Sequence, residues 1–190
     1  MNLQRLDKII ASQLNISRSD ARTHIRRGFV EVDGGVVRDP SKSFSPDKSE
    51  IFYKGQAITF KEFVYLVLNK PKGVLSASTD KNRETVVDLV PKHLARQNLS
   101  PVGRLDKDTT GLLLITDDGQ FSHKVISPKS DIKKVYRVVL DGPIPDNASD
   151  EFAKGIILAD GTKCLPAKLE TEGENQALVE IREGKYHQIK

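Results

Sequence analysis

Leu3, Leu6, Ile9, Ile10 and Leu14 recur at the spacing of one helical face, with Arg5, Asp7, Lys8, Ser12 and Gln13 on the others. This pattern predicts an amphipathic helix, interrupted at Asn15-Ile16-Ser17. Ser17 can cap a second helix, from Arg18 to about Arg27, and Gly28 can end it. The period then changes to two: Phe29-Val30-Glu31-Val32 alternates up to Asp33-Gly34-Gly35, the composition of a tight hairpin turn, and Val36-Val37 follows. Ile51 to Ile58 reads as a strand that closes this small N-terminal unit.

Thr59-Phe60-Lys61-Glu62 is the expected boundary, dividing the chain into residues 1–59 and 60–190. Beyond it, Tyr65-Leu66-Val67-Leu68 reads as a buried strand that breaks at Asn69-Lys70-Pro71-Lys72-Gly73, because proline cannot continue a central ladder. A helix is expected within Thr85 to Leu94, shortened by Pro91. The uncharged run Leu112 to Ile115 is expected to be buried, with a turn at Asp117-Asp118-Gly119. A short helix over Phe121 to Ile126, a strand over Lys133 to Leu140 and a helix from Ala148 to Gly155 follow. Further strands are expected at Lys168 to Glu170 and at Ala177 to Ile181. Strands outnumber helices and do not alternate regularly with them, so the fold class is α+β with a mostly antiparallel mixed sheet. No internal repeat, Walker loop or GxGxxG turn is present.

Charge changes the picture at the N-terminus. The 190 residues carry 30 Lys plus Arg against 26 Asp plus Glu, a net charge of +4, and the excess is concentrated in the first helices. Arg18, Arg22 and Arg26 fall along one helical stripe and Asp20 does not share it, so phosphates are the expected partners of these arginines. The run from Arg5-Leu6-Asp7-Lys8 through Ser17-Arg18-Ser19-Asp20-Ala21-Arg22 to Ile25-Arg26-Arg27-Gly28-Phe29-Val30-Glu31-Val32-Asp33-Gly34 resembles the S4 RNA-binding domain. The resemblance implies a helix pair lying against structured RNA, with Arg18, Arg22 and Arg26 facing its backbone, and Arg5 and Arg27 are further RNA-binding candidates. Lys70 and Lys72, in the basic loop after Leu68, are expected to add RNA contacts.

Cys164 is the only cysteine, so neither an intrachain disulfide nor a cysteine metal cluster can form, and a reducing compartment is expected. The four histidines are scattered, and no run approaches the roughly 18 apolar residues of a membrane span. A cytoplasmic monomer without metal or cofactor is expected. The chemistry then falls to the Gly-bracketed loop Gly103-Arg104-Leu105-Asp106-Lys107-Asp108-Thr109-Thr110-Gly111. A lone aspartate there can act as nucleophile or as general acid/base if a cation stabilises its charge. Arg104 and Lys190 are the candidate cations, Tyr136 offers a ring on which a base can stack, and Asp108 is assigned to holding the loop.

That loop, preceded by Leu68-Asn69-Lys70-Pro71-Lys72-Gly73 and followed by Lys134-Val135-Tyr136 and Gly184-Lys185-Tyr186-His187-Gln188-Ile189-Lys190, resembles the RsuA-type ribosomal RNA pseudouridine synthases. The resemblance implies that Asp106 is the catalytic aspartate, Tyr136 packs on the target base, Lys190 is the basic partner and Arg104 helps hold the flipped nucleotide. It also implies a pseudouridine synthase fold and an isomerisation that needs no cofactor. The expected partner is 16S ribosomal RNA or a small-subunit assembly intermediate. Action on 23S ribosomal RNA, or non-catalytic RNA binding by an S4-type ribosome-associated protein, are the alternatives. Family members continue past His187-Gln188-Ile189-Lys190 into a helix and a basic segment, which implies that a C-terminal piece is missing here.

Overall fold

In the computed structural model, which describes residues 3–185 and 187–189, strand β1 (Gln4–Arg5) leads directly into helix α1 (Leu6–Leu14). The helix buries Leu6, Ile9, Ile10 and Ala11 and ends at Asn15, whose φ of 51° is left-handed and whose N–H donates to the Ala11 carbonyl. Ser17 caps α2 (Arg18–Arg26) as expected, its Oγ accepting from the Asp20 N–H at 3.0 Å. Gly28 follows with φ +79°, where a side chain would run into the Arg38 guanidinium.

The next strands form a meander. Strand β2 (Val30–Val32) turns through Asp33 and Gly34, both at positive φ, into β3 (Gly35–Val36), as the sequence predicts. Strand β4 (Ser43–Phe44) pairs with β1. The single strand expected over Ile51 to Ile58 is instead a hairpin, β5 (Ile51–Tyr53) and β6 (Gln56–Ile58). Lys54 and Gly55 at positive φ supply its turn. The sheet order is β3-β2-β5-β6. It closes over a core of Leu6, Ile9, Ile10, Ile25, Val30, Val32 and Ile51, where each fully buried aliphatic side chain contributes about 1.5–3 kcal/mol.

A second core gathers Val74, Val86, Leu99, Leu113 and Ile115. It lies against a three-stranded antiparallel sheet of order β7-β9-β8, made of β7 (Tyr65–Lys70), β8 (Ser100–Val102) and β9 (Gly111–Thr116). The two runs expected to be buried strands are half-buried. Leu113 and Ile115 are buried while Leu112 is 72% exposed, and on β7 Val67 is 73% exposed. An antiparallel sheet packs one face on its core, so alternate residues stay outside. Pro101 is tolerated because β8 is an edge strand.

The helix expected within Thr85 to Leu94 does not form. Asp88 Oδ2 accepts from both the Thr85 N–H and its hydroxyl at 2.8 Å, and the backbone bonds that follow are short three-residue turns. The Asp88 contact is of the kind that opens a helix, but Pro91 has no N–H to continue one, and the segment stops at isolated turns.

The chain divides into two compact units, one ending at Gly119 and the other beginning at Gln120. Helix α3 (Gly119–Ile126) stands at the division. The second unit pairs β10 (Lys134–Val139), β11 (Lys168–Thr171) and β12 (Gln176–Ile181) in the antiparallel order β10-β12-β11, with α4 (Ala148–Lys154) between β10 and β11 in sequence. Ala177, Val179 and Ile181 of β12 are buried. Every pairing between named strands is antiparallel, in keeping with the expected α+β class. Among the described residues no helix is long and apolar enough to cross a membrane.

Candidate functional site

The loop that carries Asp106 joins β8 to β9 and starts and ends on glycines at positive φ, Gly103 at 87° and Gly111 at 125°. Its backbone is held on both sides of Asp106. At Leu105, the Ser76 hydroxyl donates to the carbonyl at 2.7 Å and accepts from the N–H at 3.1 Å. At Lys107, the carbonyl accepts from the Gly73 N–H at 2.7 Å and from Lys70 Nζ at 3.3 Å. A turn bond from the Thr109 N–H to the Asp106 carbonyl, 3.1 Å, closes the tip. Asp106 is half-buried while Arg104, Lys107 and Asp108 are exposed.

Lys70 is the centre of this arrangement. It is fully buried at the end of β7, opposite Gly111. Its ammonium group donates to the carbonyls of Pro71, Lys107 and Thr109 at 3.0, 3.3 and 2.9 Å. Burial pushes its pKa down, against the charges of Asp108 and Asp106, which pull it up. All three donors of the ammonium group are directed at carbonyls inside the protein. Lys70 is thus committed to the protein's own carbonyls, where the sequence reading expects an RNA contact. Lys72, two residues on, is exposed.

The arginines of the helix pair also differ from expectation in one respect. Asp7, grouped by the sequence reading with the polar faces, is fully buried. Its carboxylate accepts from Arg5 at 3.2 Å, from Arg18 at 2.8 Å and from Arg22 at 2.9 Å. Burial would raise its pKa, but the three guanidinium hydrogen bonds outweigh that and hold the carboxyl well below the usual range. The stripe is thus partly neutralised within the protein rather than left for phosphates alone. Three arginines on one carboxylate still carry a net double positive charge, and each remains about half exposed. Arg26 and Arg27 lie outside this cluster and are exposed.

Both organising residues left a signal in the sequence. Asp7 stands in helical register with Ile10, Ala11 and Leu14, and Lys70 shares its strand face with Leu66 and Leu68. A charge on an apolar face is a candidate for burial with partners.

In the second unit Tyr136 lies on β10 opposite Val179 and is half-buried. Glu183, just past β12, is buried; its Oε1 accepts from the Leu165 N–H at 2.7 Å and from the Gln188 amide at 3.1 Å. Gln188 in turn accepts from the Lys185 N–H at 2.8 Å, so the turn after β12 is fastened to the Cys164–Leu165 segment. Lys190, the expected basic partner of Asp106, lies outside the described residues, as does Tyr186.

A family model described as RNA pseudouridylate synthase matches residues 64–190, and an S4 domain model matches residues 4–47. The ribosomal small subunit pseudouridine synthase A of Escherichia coli is 41% identical over 190 residues, covering 98% of this chain and 80% of that protein. The uncharacterized RNA pseudouridine synthase YtzG of Bacillus subtilis is 40% identical with the same coverage. A crystal structure of a pseudouridylate synthase superposes with a TM-score of 0.62 at 38% identity, covering 97% of this chain and 80% of that one. Similarity at this level extends through both the arginine-bearing helix pair and the Asp106 loop, and the chain therefore belongs to the RNA pseudouridylate synthases, as an RsuA-type enzyme with an N-terminal S4 domain.

Proposed function

We propose that this chain converts a specific uridine of 16S ribosomal RNA to pseudouridine, with Asp106 as the catalytic aspartate and no cofactor. The observation that carries the assignment is the double clamp on the loop. Leu105 is held by Ser76 and Lys107 by Gly73 and Lys70, so the one residue between them has its backbone fixed on both sides. Catalytic groups gain from such support because a fixed carboxylate needs little reorganisation on meeting its substrate. The buried Lys70 charge behind the loop and the charges of Asp108 and Asp106 attract one another across space.

The reaction is an isomerisation. The bond from the ribose C1′ to uracil N1 breaks, the uracil turns, and C1′ joins C5, which loses its proton while N1 gains one. Nothing is oxidised or hydrolysed and no group donor is consumed. Asp106 serves as nucleophile or base in this sequence. Tyr136 supports the flipped base by stacking, worth about 1–3 kcal/mol, and Arg104 helps hold the flipped nucleotide. Lys190 is the proposed second cation. The small domain spans residues 1–59 and the catalytic domain 60–190, acting as a cytoplasmic monomer.

The small-subunit assignment rests on the relative named for that activity at 41% identity. Its test is a map of pseudouridines in ribosomal RNA from cells with and without the gene. Loss of one position in 16S RNA is expected. A lost position in 23S RNA moves the enzyme to the large subunit, and no lost position in either overturns the reading in favour of RNA binding alone.

A further inference from the structure

Arg96 belongs to neither the Asp106 loop nor the arginine cluster on Asp7. It lines a cleft of about 290 Å³ in the first unit, together with Lys8 of α1 and Arg18 of α2. Its side chain is only 10% exposed, and its Nε lies 3.4 Å from Asp117 Oδ2. Its Nη1 is buried with no hydrogen-bond partner among the described residues. A buried, charged donor with no acceptor from the protein is left to be satisfied from outside it, by water or by a ligand. Such atoms are scarce in folded proteins and mark a place where an acceptor from elsewhere is wanted.

The cleft is built rather than incidental. Gln97 Nε2 donates to the Ile16 carbonyl at 2.7 Å, tying the Arg96 segment to the connection between α1 and α2. On another side, the Gln13 amide exchanges two bonds with the Lys61 backbone, at 2.9 and 3.0 Å. Asp117 has its other oxygen occupied by the Val64 N–H at 2.8 Å. Lys8, Arg18 and Arg96 oppose Glu62 and Asp117 around the cleft, which leaves one net positive charge. A phosphodiester carries one negative charge and presents free oxygens as acceptors. Arg18 is shared with the Asp7 cluster, so the cleft continues the basic face of the S4 helices.

We propose that this cleft seats one phosphodiester of the substrate RNA, gripped by Arg96 with Lys8 and Arg18. The inference deepens the RNA-modifying reading and rests on it: the S4 surface and the catalytic half would then hold one continuous strand, with Arg96 as an RNA contact outside the S4 domain.

The test is RNA affinity as a function of salt, measured on the full chain with ribosomal RNA fragments. Arg96→Gln lowers the slope of log K against log salt by about 0.9 for a duplex contact or about 0.7 for a single strand. Lys8→Gln, at an exposed position, lowers it similarly without touching the core. Asp117→Asn removes the internal partner of Arg96 and a carboxylate from the cleft, so it leaves the slope intact and strengthens binding. A purely structural ion pair gives the opposite pattern, with Asp117→Asn weakening binding as Arg96→Gln does. That parallel loss, or an unchanged slope in Arg96→Gln, overturns the proposal. Inorganic phosphate at constant ionic strength forms a second arm. If it raises the Tm of the wild type but not of Arg96→Gln while the RNA slope stays constant, the site takes a free anion and the proposal fails. Failure of the broader function would look different: a wild-type protein that leaves ribosomal uridines unmodified.

Discussion

The Asp7 cluster and the Asp106 loop are built on opposite charges in the same way. In one, a buried carboxylate organises three half-exposed arginines; in the other, a buried ammonium group organises a loop that presents carboxylates. The means differ. Asp7 bonds directly to the side chains it presents, so part of their charge is neutralised inside the protein. Lys70 bonds to backbone carbonyls instead, and acts on Asp106 through the position of the loop and its charge across space. A surface that binds a polyanion tolerates partial neutralisation because many contacts share the task. A single reacting group depends instead on where its backbone is held.

The comparison breaks first at Asp106. Asp106→Asn keeps the shape of the side chain and should lower turnover by about 10³-fold or more while folding and RNA affinity remain intact, as read by tritium release from labelled uridine in RNA. Lys70→Met should follow, with a loss of about 10² in kcat because the loop loosens, and a stability cost of about 3 kcal/mol in urea unfolding because carbonyls lose their donor. A Lys70→Met enzyme with normal kcat would reduce Lys70 to a filler of space.

Asp7→Asn sharpens the other side. It should cost about 2 kcal/mol in stability, discounted from a fully buried pair because its arginine partners are half exposed, and it should weaken RNA binding by releasing their orientation. The sign with pH follows from the depressed pKa in the folded chain. An aspartate that ionises near about 3.9 when unfolded contributes its full stabilisation above that value and loses it as pH falls toward the lower folded value. The difference in Tm between wild type and Asp7→Asn should therefore be constant from about pH 7 to 5 and shrink below about pH 4. A gap that persists into strong acid would show that the carboxylate charge is not what stabilises.

The smallest effects separate two arginines of one stripe. Arg22→Gln and Arg26→Gln should each lower the salt slope of RNA binding by up to about 0.9, but only Arg22→Gln should also cost stability, by about 0.5 kcal/mol, through its bond to Asp7. Equal Tm values for the two variants would dissolve the distinction.

Both S4 helices with the Ser17 cap, the Asp33-Gly34 hairpin and the strands β10 to β12 follow from local signals that tertiary structure leaves in place. The helix expected within Thr85 to Leu94 does not, because Pro91 removes the N–H that would carry the segment past isolated turns. Strand β8 carried no signal at all: Ser100, Pro101 and Val102 become a strand only because β9 offers an edge. At the candidate site, Asp106 and its bracketing glycines were legible in the motif, whereas the jobs of Lys70, Ser76 and Asp7 were not. Each acts through carbonyls or guanidinium groups brought near by folding; the apolar register of Lys70 and Asp7 points to burial but names no partner.

Taken alone, the sequence determines the family, the antiparallel α+β class, the basic helix pair and the loop that bears Asp106, because spacing, capping and turn chemistry are local and motif order is written along the chain. Only the tertiary structure decides which charges go inside. Burial of Asp7 and Lys70, and of Arg96 beside its cleft, depends on partners contributed by other segments. An ion is worth burying only when those partners arrive together, and no linear pattern records that they do.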